Sequence, residues 1–272
     1  MIEYFKNKKH TFEATINEIA TGVTIKIGGA YKDCINITLV SENNIVSKGR
    51  IPHLESEPEC GFTNLLEEGD TVEFIKASLQ YISMKYPTVK RYEFDDNSNI
   101  ECGIRKSNIP PRKMSKPFSL AHLYLALYGE TWYEKRFGAK MLNSVLYDIY
   151  KDNRNILNTQ IHIPYEQFKK MNTIDEKQDK ILSQYYDINK TWTHFFNSIP
   201  KKDRCVAFFN WLQFFIKDLL HNTYISSSWF IDIDTMDKTH IEIVESMSGG
   251  QRKKTRKYKK FSNSFQTIIF DE

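Results

Sequence analysis

The stretch GDTVEFIKASLQYISMKYPTVKRYEFDD, residues 69–96, decides the fold of this chain. Asp70 stands where an N-cap would, with Glu73 three residues on, a pattern in which side chains satisfy the free N–H groups of a first helical turn. Val72, Ile75, Leu79, Ile82 and Tyr86 then recur at helical spacing. Pro87, which has no N–H to donate, ends the run. Residues 90–94 follow as a short strand running into Asp95 and Asp96. A strand, a loop holding Gly69, an amphipathic helix and another strand make a β-α-β unit. Such a unit requires a parallel pair of strands and a right-handed crossover.

Upstream, Val23, Ile25 and Ile27 alternate with polar residues, Gly28-Gly29 supplies a turn, and Ile35, Ile37 and Leu39 alternate again. That reads as a hairpin, with a shorter third strand around Ile45 and Val46. Downstream, residues 104–117 are rich in Pro, Lys and Arg and read as a loop. Ser119 opens a helix bearing Leu120, Leu123, Tyr124 and Leu127, closed by Gly129. Thr131 and Glu134 form a capping box, and Gly138 closes that short helix. From about residue 140 the pattern is helical. Pro164 starts one helix, Thr173 and Glu176 form another capping box, and Pro200 precedes an apolar helix over 205–220. Residues 229–234 and 240–244 alternate on either side of a turn and read as a hairpin. The expected fold class is α/β (α+β), a mixed twisted sheet with flanking helices. Residues 1–142 are its α/β core, 143–245 a mainly helical region, and 246–272 a flexible basic tail.

At 272 residues, with 40% apolar and 14% aromatic residues, the chain can bury a large core. Residues 1–10 are polar and lysine-rich without an apolar run behind them, so no secretory signal is read. The most apolar run, 205–220, contains Asn210, Gln213, Lys217 and Asp218 and is too polar and short to span a bilayer. Cys34, Cys60, Cys102 and Cys205 form no CxxC pair. Without an export signal they are expected to be reduced thiols, which places the chain inside the cell, not among secreted proteins. The sequons at Asn36 and Asn189 are then read as chance matches. No metal site is expected.

Seven cations, Arg252, Lys253, Lys254, Arg256, Lys257, Lys259 and Lys260, occur with no acid among them. The net charge of +4 therefore hides a body with 31 basic against 34 acidic residues. A cationic run of this kind binds phosphates by counterion release, or else serves solubility or localisation. Nucleic acid or an acidic protein is the partner expected through the tail, and a protein partner through the helical half.

Other clusters have two readings each. Asp95, Asp96 and Glu101 suit a divalent cation or a base, or equally a turn with Asx caps. Asp232 and Asp234 share a strand face, with Asp237 near, as a metal site or a solvated edge. Trp132, Tyr133 and Phe137 sit at helical spacing, as core aromatics do. Phe208, Phe209, Trp211, Phe214 and Phe215 cover more than one helix face, as buried core or as a partner-binding patch.

The order of elements over residues 20–142, ending in Thr131-Trp132-Tyr133-Glu134-Lys135-Arg136-Phe137-Gly138-Ala139, resembles the GNAT superfamily of N-acetyltransferases. The same motif with the "GGQRKKTRK" tail resembles GNAT-like proteins of nucleocytoplasmic large DNA (giant) viruses. The resemblance implies a GNAT-like sheet and location in the host cytoplasm, a viral factory or the virion. It implies acetyl-CoA at the loop before the helix, through Gly69, Asp70 and Thr71, and Tyr133 as the acid that protonates the leaving thiolate. Of that loop's Gln/Arg-x-x-Gly-x-Gly/Ala pattern, only Gly69 is present, and Glu67, Glu68 and Asp70 set negative charge where two phosphates would sit. Each such charge would cost on the order of 1 kcal/mol. The expected function is a non-catalytic scaffold or virion-associated protein whose tail contacts a polyanion. The alternative is an acyl-CoA-dependent N-acetyltransferase acting on an amine.

Overall fold

A computed structural model describes residues 1–30, 32–42, 45–54, 58–67, 69–101, 117–221 and 228–244. Most of the loop expected at 104–117, and the tail, lie outside these residues.

The chain forms two compact units. The first comprises Met1–Asp95, Phe137–Ala139 and the segment beginning at Trp229; the second comprises Asp96–Arg136 and Lys140–Ser228. In chain order the elements begin with β1 (Ile2–Lys6), β2 (Thr11–Ile19), β3 (Gly22–Gly28), β4 (Asp33–Glu42), β5 (Ile45–Leu54), α1 (Asp70–Lys85) and β6 (Arg91–Asp95). Then come β7 (Asn99–Glu101), β8 (Pro117–Ser119), α2 (Leu120–Tyr128), α3 (Trp132–Phe137), β9 (Lys140–Met141) and α4 (Ser144–Arg154). They close with α5 (Tyr165–Met171), α6 (Glu176–Tyr186), α7 (Trp192–Ser198), α8 (Arg204–Phe208), α9 (Leu212–Leu219), β10 (Ser228–Asp232) and β11 (Glu242–Val244).

Eight strands of the first unit are neighbours in the order β11-β1-β2-β3-β4-β5-β6-β10. Strands β1 to β5 form an antiparallel meander, and β6 runs parallel to β5, with Gly49 opposite Tyr92 and Ile51 opposite Phe94. The parallel pair flanking α1 is the one the sequence requires. Buried and half-buried residues alternate along β2 and β3, as a sheet with one covered face dictates. Helix α1 lies over β1 and β2, where Tyr81 stacks on Phe5 (4.4 Å between centroids) and Phe74 meets Phe12 (5.0 Å). Strand β5 is longer than the Ile45-Val46 signal because Gly49 interrupts its pattern. A Cβ there would lie 2.6 Å from the Tyr92 ring, so the neighbouring strand requires glycine.

Two expectations for this unit are corrected. The strands at 229–234 and 240–244 are not a hairpin. Strand β11 pairs with β1, Ile243 opposite Phe5, whereas β10 stands beyond β6 at the far side. Between them the chain turns at Asp232, whose carbonyl accepts from Thr235 N and Met236 N, and then runs along α1. Lys76 pairs with Asp237 (3.4 Å), and Thr239 Oγ1 donates to Glu73 (3.0 Å). The sheet that begins at residue 2 is thus completed by residues 228–244, which is why the units do not divide at 142.

The described cysteines are likewise not reduced. Cys34, near the start of β4, and Cys60, in the turn before α1, form a fully buried disulfide, and Cys205 is disulfide-bonded as well. Disulfides persist in oxidising surroundings, so cysteine usage no longer argues for a reducing compartment.

In the second unit β7 and β8 form a two-stranded sheet and the helices enclose an aromatic cluster. Phe168 is its centre, within 6 Å of the rings of Tyr186, Trp192, Phe195, Trp211 and Phe215. Of the aromatic residues at 208–215, Phe208 and Trp211 are core, whereas Phe214 is exposed. The helix expected over 205–220 breaks into α8 and α9 at Asn210, whose φ is 69°, and the Trp211 indole N–H donates to the Ala207 carbonyl (2.6 Å). The capping box of α6 is Asp175 with Gln178, not Thr173 with Glu176. Gln178 is the better partner because its amide also donates to the Val206 and Phe209 carbonyls (3.3 and 2.7 Å), which a carboxylate does not do. Asn189 Nδ2, the atom a glycan would occupy, donates to Tyr185 O and Ser198 Oγ. Among the described residues no helix is long and apolar enough to cross a membrane.

Candidate functional site

The N-terminus of α1 is built from the turn that precedes it. Gly69 is the N-cap at φ 84°, a left-handed conformation that glycine adopts without strain, and a Cβ there would meet no atom within 4 Å. The backbone, not crowding, is what demands glycine at this point. Asp70 is the first helical residue, not the cap expected from sequence. Its N–H donates to Glu67 O (3.1 Å), and its Oδ2 accepts from Glu67 N–H (2.9 Å), closing the turn in both directions.

The rest of the Asp70 carboxylate is also occupied. His10 Nε2 lies 2.8 Å from Oδ2, and Lys9 Nζ donates to Oδ1 at 3.0 Å. An ionised carboxylate only accepts, so Nε2 carries the imidazole proton. His10 and Asp70 are both buried, Lys9 largely exposed. Burial alone would raise the Asp70 carboxyl, but the Glu67 N–H, Lys9 and His10 outweigh it and hold the group below the usual carboxylate range. Because the folded value is depressed, the contribution to stability is present above the ordinary carboxylate pKa and is lost as pH falls through the folded one. Asp70→Asn is therefore expected to lower unfolding free energy at pH 7 by about 1–3 kcal/mol, with the difference from wild type shrinking toward pH 3. Urea titrations at the two pH values measure both. A loss equal at both pH values would separate Asp70 from the charge interaction. Thr71 is buried beside it.

Tyr133 belongs to the second unit, whereas Gly69, Asp70 and Thr71 belong to the first. Its ring is buried edge-on to Trp132 (4.9 Å), and burial, with the charge of Asp96, pushes its hydroxyl far above the ordinary tyrosine range. Of the two readings of this motif, core aromatics fit the burial of Trp132, Tyr133 and Phe137. The polar chemistry of the motif is at Glu134. The box expected from sequence is present: Thr131 N–H donates to Glu134 Oε2 (2.9 Å), and Glu134 N–H to Thr131 Oγ1 (3.2 Å). Tyr150 OH, Tyr147 OH and Arg154 NH1 also donate to this buried carboxylate, at 2.7, 3.2 and 2.9 Å. Burial and then the Glu134 charge push the Tyr147 hydroxyl up to about 12.

The acidic clusters are not gathered on one point. Asp95 pairs with Arg50 (3.5 Å), and Asp96 accepts from Ser98 N–H and Oγ in an Asx turn. The Glu101 side chain lies outside the described residues. Asp234 pairs with Lys90 and Asp237 with Lys76, while Asp232 accepts from the Asp234 N–H. Among the described residues no three His, Cys, Asp or Glu side chains form a metal-holding group. Arg252, Lys253, Lys254, Arg256, Lys257, Lys259 and Lys260 lie outside the described residues. Sequence reading missed Lys9 and His10 altogether, because they stand some 60 positions from Asp70 in a stretch that reads only as polar.

No family model matches this chain, and neither a curated protein nor a solved structure does.

Proposed function

We propose that this chain is a non-catalytic scaffold on an acetyltransferase-like sheet, holding nucleic acid by its phosphates through residues 252–260. The observation that carries the first half is Asp70. Its carboxylate, on the first residue of α1, is held in place by Lys9, His10 and the Glu67 N–H, and sets a fixed negative charge at the helix N-terminus. A pyrophosphate there would be repelled by that charge. The meander β1–β5 followed by α1 and a parallel β6 supports the GNAT-like reading of the sheet. It is also what favours the rival, an acyl-CoA-dependent N-acetyltransferase with its cofactor at Gly69, Asp70 and Thr71 and Tyr133 as acid.

Two measurements decide. Calorimetric titration with acetyl-CoA is expected to give no binding heat at millimolar ligand; saturable heat hands the reading to the rival. Filter binding to a DNA duplex across a salt series is expected to show a steep slope of log affinity on log salt, about −6 for seven phosphate contacts. Deleting residues 249–260 should abolish both affinity and slope. A deletion that changes neither removes the tail from the proposal.

A further inference from the structure

One edge of the sheet in the first unit is short of cover. Among the described residues no strand lies beyond β11, and β11 spans three residues against the five of β1. Val244 stands opposite Tyr4, which leaves Glu3 and Ile2 without a strand partner on that side among the described residues. The side chains at this edge are apolar on both faces. Ile243, opposite Phe5 and so on the face that α1 covers, is 49% exposed. Ile2, on the other face, is 58% exposed. An open edge of this kind is a template for one more strand.

We propose that residues 265–270 of the same chain, FQTIIF, add to this edge as a strand antiparallel to β11. The segment lies outside the described residues, and its sequence fits the place. It holds no Gly, Pro or charge and is rich in the strand-forming residues Phe, Ile and Thr. Alternation puts Phe265, Thr267 and Ile269 on one face and Gln266, Ile268 and Phe270 on the other, so it is apolar on both, as the edge is. Strand β3, inside the sheet, is by contrast apolar on one face only. The twenty residues 245–264 join Val244 to Phe265, ample for the chain to double back, and an antiparallel return needs no crossover. A segment tethered in this way is held at an effective concentration of about millimolar, far above that of a second copy at micromolar protein. That selects the segment of the same chain as the occupant. The cations of 252–260 then sit in a loop tied at both ends, and this holds whether or not they bind nucleic acid.

Hydrogen exchange of the full chain at low micromolar concentration, read by mass spectrometry, tests this. Residues 265–270 are expected to exchange about tenfold or more slower than the same stretch as a free peptide. Removing residues 265–272 is expected to speed exchange over 242–244 by a similar factor while leaving 165–219 unchanged. I268D/I269D, which sets one charge on each face of the segment, is the milder variant and should release both stretches in the same way. Exchange of 265–270 at the free-peptide rate overturns the proposal. So does a truncated chain and an I268D/I269D variant whose 242–244 amides exchange as in wild type. Protection of 265–270 that grows as the protein is concentrated would assign the segment to the edge of a second copy and overturn the pairing within one chain.

Discussion

The C34S/C60S double variant is expected to lose about 3.5 kcal/mol of unfolding free energy, the loop-closure entropy for a separation of 26 residues. The bond ties β4 to the turn before α1, a region otherwise fixed by the Phe62 N–H on the Thr11 carbonyl (2.7 Å) and by the Tyr4–Phe62 ring contact (5.0 Å). Urea unfolding of oxidised wild type beside the variant measures the difference. Thiol titration of the denatured, unreduced chain gives the independent check: reaction at Cys34 or Cys60 would show that the bond had not formed. The turn it restrains leads directly to Gly69 and Asp70, so the variant should also weaken protection of the first α1 amides in hydrogen exchange.

Glu134→Ala is expected to cost about 3–5 kcal/mol, because it strips a buried carboxylate from Arg154 and two tyrosine hydroxyls and removes one side of the capping box. Glu134→Gln keeps the shape and one accepting oxygen, and should cost about 2 kcal/mol. A double-mutant cycle of Glu134→Gln with Tyr150→Phe should give a coupling of about 0.5–3 kcal/mol. Additive losses would mean that the 2.7 Å contact contributes nothing of its own. Since Tyr150 is the buried anchor of α4, Glu134→Ala should also release that helix, seen as faster amide exchange over residues 144–154 before global unfolding.

How much of this was legible follows from the range of each interaction. Helix α1, its stop before Pro87 and the parallel strand after it are set by residues within one or two turns of each other, and periodicity reads them well. The Thr131–Glu134 box is three residues long and equally readable, although its carboxylate proved to serve Tyr147, Tyr150 and Arg154 too. The disulfide, the His10–Asp70 contact and the pairing of β11 with β1 join residues from 26 to more than 230 positions apart. No spacing rule reports such pairs, because tertiary packing makes them. The two alternating segments at 229–244 show how this misleads. Alternation reports that each is a strand, and says nothing about which neighbour each will take.

Strand β11 on β1 has a consequence for the order in which the molecule can assemble. A nascent chain leaves the ribosome from its first residue onward, and the edge of β1 has no mate until residues 242–244 have been made. The second unit, by contrast, is an almost unbroken segment from Asp96 to Ser228 and is available to fold while that edge still waits. Synthesis therefore leaves one edge of β1 open while residues 7–241 are made, the kind of edge that chaperones shield.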